Sequence, residues 1–229
     1  MGPCGPVPSL LHLALPSTIT RAIHEVRPLL AASGFAVPGQ AGLRLRTLAD
    51  VVAYADACGV ELRLDATETQ VRRPRAHRPG RRAFVSGKRK QNTIKTTTCS
   101  DAAGRTLWSG AVRPGRMHDQ TAVKTEGICA LLDQHPSVRV GVDVGYRGLA
   151  TAFPDQALAP PRKPPKDAQR VARHEQARTQ QSSQRICVEH AIAEHKHWRS
   201  LQRWIGHREY YAETYLAVAG LVSHRAARR

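Results

Sequence analysis

VRVGVDVGY, residues 138–146, alternates valine with polar or small residues as far as Asp143. A period of two is typical of a β-strand, and Gly145 allows the chain to turn after it. Residues 120–134 before this stretch are predicted to form a helix. A strand that is reached through a helical crossover pairs in parallel with an earlier strand of the same sheet. The stretch therefore predicts an α/β fold in which a late strand joins a sheet that is already formed.

The earlier strands are predicted upstream of the crossover. Residues 60–65, VELRLD, alternate apolar and charged side chains and place Asp65 near a strand end. Residues 92–99 are rich in threonine, residues 101–104 form a hairpin turn, and residues 106–112 form the partner strand. These segments predict a mixed sheet that consists of a three-stranded meander, a crossover helix and a further strand.

Helical patterns flank this sheet. They cover residues 17–33, 47–59, 184–196 and 208–226, with loops or connections at 38–42, 113–116 and 200–206. We divide the chain into a short helical N-terminal region, 1–46, and a main domain, 47–229. The 17–33 helix is either the recognition helix of a helix-turn-helix remnant or an ordinary packing helix.

The charge of the chain is strongly positive, with 35 Lys and Arg against 18 Asp and Glu and a net charge of +17. That balance favours a polyanionic partner, nucleic acid first and an anionic membrane surface second. No apolar run is long enough to span a bilayer. Five scattered cysteines without a CxxC pair indicate reduced thiols in the cytoplasm.

Residues 71–90 form a basic loop. Ten Lys and Arg and no acid lie between Glu68 and Asp101. The loop is either a flexible segment without a specific partner or a DNA-binding arm, and we favour contact with phosphate groups. The candidate DNA-binding residues in it are Arg72, Arg73, Arg75, Arg81, Arg82, Lys88, Arg89 and Lys90.

Three acidic residues are candidates for one site. If the late strand lies beside the strand at 60–65, Asp65 and Asp143 become neighbours, and a helix packed on the sheet could present Glu189 to both. Three close carboxylates repel each other unless a cation joins them. Two Mg²⁺ or Mn²⁺ ions could use such ligands for an in-line attack on a phosphodiester. The alternative is that Glu189 only pairs with Arg185 on a solvated helix face.

The motifs around these acids resemble those of bacterial insertion-sequence transposases of the DDE type. Their Asp-Gly-Thr segment is similar to residues 65–67, Asp-Ala-Thr, and their Asp-x-Gly-Tyr segment to residues 143–146. Arg185, Glu189 and Lys196 keep the spacing of the family's third motif, with serine at 182 in place of its tyrosine. Pro114, Gly115, His118 and Asp119 match a further segment.

The resemblance implies an RNase H-like catalytic core, a metal-dependent endonuclease, and DNA strand cleavage and transfer at the ends of an insertion sequence during transposition. Asp65, Asp143 and Glu189 would bind two Mg²⁺ or Mn²⁺ ions, and Arg185 and Lys196 would contact DNA. His118 and Asp119 are secondary candidates, although Asp119 is best explained as a helix-capping or first-turn acid.

The partners implied are double-stranded DNA, as element ends and target, and a second copy of the chain in synapsis. The protein is then expected in the bacterial cytoplasm, on the nucleoid when bound to DNA. Three hypotheses stay open: an active transposase, a truncated and inactive DNA-binding remnant, and an RNase H-like nuclease without strand transfer.

Overall fold

The computed structural model describes residues 16–75, 77, 80–161, 179 and 189–228. The helices in this part of the chain, in order, are α1 (Pro16–Ala32), α2 (Leu48–Cys58), α3 (Asp119–Thr125), α4 (Ile128–Gln134), α5 (Arg147–Ala152), α6 (residues 189–196), α7 (Arg199–Gln202) and α8 (Tyr211–Ala226). The strands are β1 (Phe35–Val37), β2 (Gln40–Leu45), β3 (Leu62–Val71), β4 (Thr93–Asp101), β5 (Thr106–Ser109), β6 (Arg113–Pro114), β7 (Val140–Val142), β8 (Ala157–Leu158) and β9 (Arg203–Trp204).

The central sheet is mixed and has the strand order β5-β4-β3-β7-β8. Strands β3, β4 and β5 form the antiparallel meander, and β7 then pairs in parallel with β3. The predicted α/β class, the meander and the crossover to a parallel strand are therefore confirmed. Strand β6 pairs with β4, and β9 pairs in parallel with the far end of β3.

Strand β3 is longer than predicted, and Asp65 does not lie at its end. Its register with β4 continues from Leu62 opposite Asp101 to Gln70 opposite Thr93. The residues after Asp65 alternate again, and Thr67, Thr69 and Val71 are buried. Threonine is β-branched and fits a pleated sheet, so this stretch extends the strand and does not form a turn.

The crossover is made of two short helices, not the single helix predicted over 120–134. Helices α3 and α4 are separated at Glu126 and Gly127, and Gly127 has φ of +71°. That left-handed conformation is open to glycine at little cost and ends a helix, so the break follows from the residue type.

Three predicted loops contain short regular elements. Residues 38–42 belong to the β1–β2 hairpin, because Val37 pairs with Gln40 around the turn at Pro38 and Gly39. In the loop predicted at 113–116, β6 forms because its two residues pair with Ile94 and Lys95. The connection at 200–206 contains part of α7 and β9.

Helices α2 and α8 agree with the predicted patterns. Thr47 caps α2 through a capping box with Asp50, and Leu48, Val51, Val52 and Ala55 are buried. In α8, Tyr211, Tyr215, Ala219 and Val222 are buried, and Leu216 is partly buried. Side chains from α2, α8, the β1–β2 hairpin and the central sheet share one apolar core.

Helix α1 matches the helix predicted at 17–33, but its apolar stripe is largely exposed. Ile19, Ile23 and Val26 are about half exposed, at 50%, 53% and 48%, and Arg27 pairs with Glu213 of α8 at 2.8 Å. The helix is followed by the β1–β2 hairpin, and any partner helix of a helix-turn-helix would lie before residue 16, outside the described residues. Among those residues, no helix has both the length and the apolar character required to cross a membrane.

Candidate functional site

Two of the predicted acids are brought together by neighbouring strands, Asp65 within β3 and Asp143 directly after β7. In the parallel register of β3 and β7, Leu64 is opposite Val142, and the next residues along the two strands are Asp65 and Asp143. Hydrogen-bonded strands lie about 4.8 Å apart, so the backbone brings these two residues close together. Strand β7 ends at Val142, and Asp143 therefore lies at the carboxyl end of β7, beside the middle of β3.

One cavity of about 330 Å³ is lined by Asp65, Asp143 and Glu189 together. Its other walls come from β3, from the basic segment after β3 and from α6. These lining residues are Ala66, Thr67, Glu68, Lys88, Arg89, Ile192, Ala193 and Lys196. Three acids separated by more than 40 positions in the chain thus face the same space.

Both aspartates are oriented by the backbone that follows them. Asp65 accepts a hydrogen bond from the amide of Ala66 at 2.7 Å, and Asp143 accepts one from the amide of Val144 at 2.6 Å. The second bond caps the short 3₁₀ helix Val144–Tyr146. A carboxylate fixed by a backbone donor loses little conformational freedom when it binds a ligand.

Carboxylate oxygens are the ligands that Mg²⁺ and Mn²⁺ prefer, so the donor chemistry of this cavity fits such ions. Within the part of the chain that the structure describes, no three His, Cys, Asp or Glu side chains are grouped closely enough to hold one ion. Glu189 is exposed, so its side chain is the one of the three with room to move towards the aspartates.

Helix α6 brings Glu189 to the cavity because its other face is anchored in the core. Ala191 is buried, and His195 is 1% exposed. The His195 ring is within 3.1 Å of the Thr106 hydroxyl and 3.2 Å of the Tyr215 hydroxyl. Burial lowers the pKa of His195 to about 4, so the ring is neutral in the fold.

Lys196 is the cation on α6 that lines the cavity. Burial lowers its pKa, the nearby positive charges of Arg89 and Lys88 act in the same direction, and the carboxylates of Asp65 and Glu68 oppose them. The side chain therefore lies among acids and bases of the same cavity, where an incoming phosphate would meet it. Arg185, predicted with it as a DNA contact and as the alternative partner of Glu189, lies outside the described residues.

Lys95 contacts two further acidic residues near the cavity, Asp119 and Glu68. Lys95 donates a hydrogen bond to Asp119 at 2.9 Å and another to the carbonyl of Met117 at 3.1 Å. Its ammonium group is also 3.8 Å from Glu68, whose other oxygen accepts from Thr93 at 3.0 Å. Lys95 thus links β3, β4 and the start of α3.

The start of α3 also contacts the turn that follows Asp143. The carboxylate of Asp119 lies so close to Gly145 that a Cβ added there would displace it, and Gln120 donates to the Gly145 carbonyl at 3.1 Å. His118 is exposed and caps α3 by accepting from the amide of Gln120 at 3.3 Å. Asp119 is therefore a first-turn acid with a supporting position, as the sequence favours.

The predicted basic residues divide between separate places. Lys88 and Arg89 line the acidic cavity, whereas Arg72, Arg73, Arg75, Arg81 and Arg82 line two neighbouring grooves. Lys90 lies in an exposed turn with φ of 56°.

Glu68 and Lys95 are residues of this region that the sequence patterns did not single out. Glu68 lies on the part of β3 that continues beyond the predicted strand at 60–65, and a strand prediction extended over the alternating threonines would have placed it near Asp65. Lys95 is one of several lysines in a basic stretch, and its partner Asp119 lies 24 residues away, so no local pattern joins the two.

Comparison with known proteins identifies the family. The family model described as DDE superfamily endonuclease matches residues 64–222, which is more than half of the chain. The chain belongs to the DDE superfamily endonuclease family. Searches of curated proteins and of solved structures found no significant match.

Membership of this family indicates a nuclease that acts on DNA, and members generally use divalent metal ions. The matched region begins at Leu64, next to Asp65, and includes Asp143 and Glu189.

Proposed function

We propose that this chain is a bacterial insertion-sequence transposase with an RNase H-like core, which cleaves DNA at element ends and joins them to target DNA. The family membership supports the endonuclease step. The sheet order, with a meander followed by a parallel strand on the far side of β3, supports the core. Residues 47–229 would form this catalytic domain, with residues 1–46 as an N-terminal region.

The observation that carries the proposal is the shared cavity of Asp65, Asp143 and Glu189. In our proposal Asp65 and Asp143, which are fixed by the strand register, hold the ions, and Glu189 completes the site from α6. Bound Mg²⁺ or Mn²⁺ would activate the attacking water or 3′-hydroxyl and stabilise the leaving oxygen of an in-line displacement. Lys196, Lys88 and Arg89 would hold the phosphate that faces the acids.

Incubation of the purified protein with supercoiled plasmid, with and without Mn²⁺, tests the nuclease step. The wild type should nick the plasmid only when the ion is present. Glu189→Gln should lower the nicking rate by at least 100-fold, because the amide is a poor ligand for a hard cation. Glu194→Gln is the matched control on the same helix, since Glu194 does not line the cavity, and it should nick like the wild type. Equal nicking by Glu189→Gln and the wild type would remove Glu189 from the site.

Joined products distinguish a transposase from a nuclease of the same fold that does not transfer strands. Labelled duplexes with a free 3′-hydroxyl should become linked to the plasmid when Mn²⁺ is present. A preparation that nicks and never joins would assign the chain to the second class. Short inverted repeats and a target duplication around the gene would support the insertion-sequence origin, and a dimer on paired DNA ends would support synapsis.

A second candidate is a DNA-binding remnant without catalytic activity. The net charge of +17 supports this candidate, because binding of DNA by charge alone needs no catalytic site. It predicts salt-sensitive DNA binding and no nicking at any Mn²⁺ concentration. The plasmid assay therefore separates the two candidates with one preparation.

A further inference from the structure

A groove of about 920 Å³ lies at the end of β3 opposite to Leu62. One wall is the segment that leaves β3, and the other is the segment that follows β9. The two walls are joined by the parallel pairing of Val71 with Trp204. The residues that line the groove are Val71, Arg72, Arg73, Pro74, Arg75, Phe84, Trp204, Gly206, His207, Arg208 and Glu209.

Four guanidinium groups face this groove. Arg72, Arg73, Arg75 and Arg208 are all exposed, and no ion pair joins any of them to an acid among the residues that the structure describes. Glu209 is the one acid in the lining, and its carboxylate lies 3.6 Å from His207. Four like charges around one space repel each other, and a bound polyanion relieves that repulsion.

The groove has a preformed shape. The Arg208 guanidinium stacks on the Phe84 ring at 4.0 Å, which ties the two walls together and holds this charge in place. The indole of Trp204 donates a hydrogen bond to the carbonyl of His207 at 3.0 Å, which fixes the second wall. Planar guanidinium groups that are held in place suit the bidentate recognition of phosphate.

The groove continues towards the acidic cavity. Arg73 also lines an adjoining groove of about 480 Å³ with Arg81, Arg82, Val85 and Asn92. Lys88 and Arg89, between Val85 and Asn92 in the chain, reach the cavity of Asp65. Val71 is six positions after Asp65 in β3, which corresponds to about 20 Å along the strand.

We propose that this groove, formed by residues 71–75 and 204–209, binds the phosphate backbone of duplex DNA outside the cleavage site. The inference rests on the proposed DNA nuclease function and adds a second contact from the C-terminal part of the chain. With a rise of 3.4 Å per base pair, a span of about 20 Å places the contact roughly six base pairs from the scissile phosphate.

Binding of a fluorescent 30-base-pair duplex (a length chosen to extend well past the six base pairs), measured in EDTA over a series of salt concentrations, tests the groove without any catalysis. Arg73→Gln/Arg208→Gln should weaken binding about tenfold and reduce the slope of log K against log salt by about 2, because two phosphate contacts are lost. Arg72→Gln/Arg73→Gln, which leaves the Phe84 stack intact, should reduce the slope by a similar amount.

Arg139→Gln/Arg228→Gln is the control with the same change of charge. Arg139 stands beside Leu62 at the other end of β3, Arg228 follows α8, and both are exposed. The control should change the slope by less than about half of the change expected for the loss of one phosphate contact. An unchanged slope in both groove variants, or an equal change in the control, would overturn the proposal.

Competition with duplex RNA of the same length is the second measurement. DNA should compete at least as well as RNA, and RNA that displaced the probe at a tenfold lower concentration would overturn the assignment to DNA. The plasmid assay distinguishes a failure of the groove proposal from a failure of the proposed nuclease function. Absence of nicking with normal groove-dependent binding would reject the nuclease, whereas nicking without a groove effect would reject only the groove.

Discussion

Lys95 and Asp119 are the best-defined ion pair near the proposed site. Their side chains are only 14% and 23% exposed, and their polar atoms are 2.9 Å apart. The pair fixes the start of α3 on β4, and the Asp119 carboxylate in turn packs against Gly145, two residues after Asp143. The position of Asp143 therefore depends on a contact formed by two residues outside the cavity.

A double-mutant cycle tests this contact. Asp119→Asn and Lys95→Met should each destabilise the protein by about 1–2 kcal/mol, because each leaves a partly buried charge without its partner. The double variant should lose about 1 kcal/mol less of the free energy of unfolding than the two single variants lose together. The measurement is urea unfolding followed by circular dichroism. Additive effects within a few tenths of a kcal/mol would show that the two side chains are not coupled.

Residues with a strong local signature could be predicted from the sequence. Asp65 and Asp143 each follow a stretch of alternating apolar residues, and the crossover rule predicts that the late strand pairs in parallel with an earlier one. Which earlier strand it joins is not decided by the sequence, and the structure shows that it is β3. Glu68 and Lys95 could not be found in the same way, because their importance comes from contacts with residues of other elements. Whether Asp65, Asp143 and Glu189 bind metal stays a prediction.

At the scale of the element, α6 depends on one buried histidine. The pKa of His195 is lowered by burial to about 4, although the Glu194 carboxylate opposes that shift, and the ring packs against the Tyr215 hydroxyl and the Thr106 hydroxyl. The unfolded chain, in which His has a pKa near 6.5, takes up a proton at a higher pH than the folded one. The contribution of neutral, buried His195 to the free energy of unfolding is therefore complete above pH 6.5 and is lost as the pH falls towards 4.

His195 should make the stability sensitive to mild acid. Between pH 7 and pH 5 the free energy of unfolding should fall by about 2 kcal/mol through this residue alone. His195→Asn does not titrate, so its stability should change by about 2 kcal/mol less over the same range. Chemical unfolding of both proteins at the two pH values gives the comparison. Equal pH dependence in the two proteins would contradict the buried neutral state of His195.

Elements were predicted well where their pattern was local. The capping box of Thr47 and Asp50 marks the start of α2, and Gly59 ends it. Boundaries that depend on pairing were predicted less well, since β3 continues past Asp65 through its register with β4, and β6 exists only because it pairs with β4. Tertiary hydrogen bonds, which a single segment does not reveal, set these limits.

At the scale of the whole molecule, the N-terminal region shares the core of the main domain. Phe35, Val37 and Leu45 are each 3% exposed and belong to the same apolar cluster as Tyr215 and Val222 of α8. Ser223 also hydrogen-bonds the amide of Ala36 at 3.0 Å. This packing couples the β1–β2 hairpin to the rest of the described chain, although the division at residue 46 remains a prediction.

Removal of residues 1–46 should unfold the protein. Each of the three buried side chains contributes about 2–4 kcal/mol, so their combined loss of about 6–12 kcal/mol is comparable with the whole stability of an ordinary domain, about 5–15 kcal/mol. The truncated chain should show no cooperative thermal transition by circular dichroism, and the full chain should show one. A cooperative transition within a few degrees of the full chain would mean that residues 47–229 fold on their own.

The positive charge of the chain predicted a polyanionic partner, but the sequence could not show how that charge is distributed. The basic loop divides between the acidic cavity and two grooves, and the second wall of the larger groove comes from residues 204–209, far away in the sequence. Pairing of β9 with β3 brings these walls together. Such a juxtaposition requires the three-dimensional fold.

The central claim is that Asp65, Asp143 and Glu189 form one metal-binding site. Anomalous diffraction from crystals soaked in Mn²⁺ tests it most directly. We predict at least one anomalous peak at about 2.2 Å from carboxylate oxygens of both Asp65 and Asp143, with Glu189 turned towards it. Anomalous peaks only at other residues, in crystals of a preparation that nicks DNA, would contradict the claim.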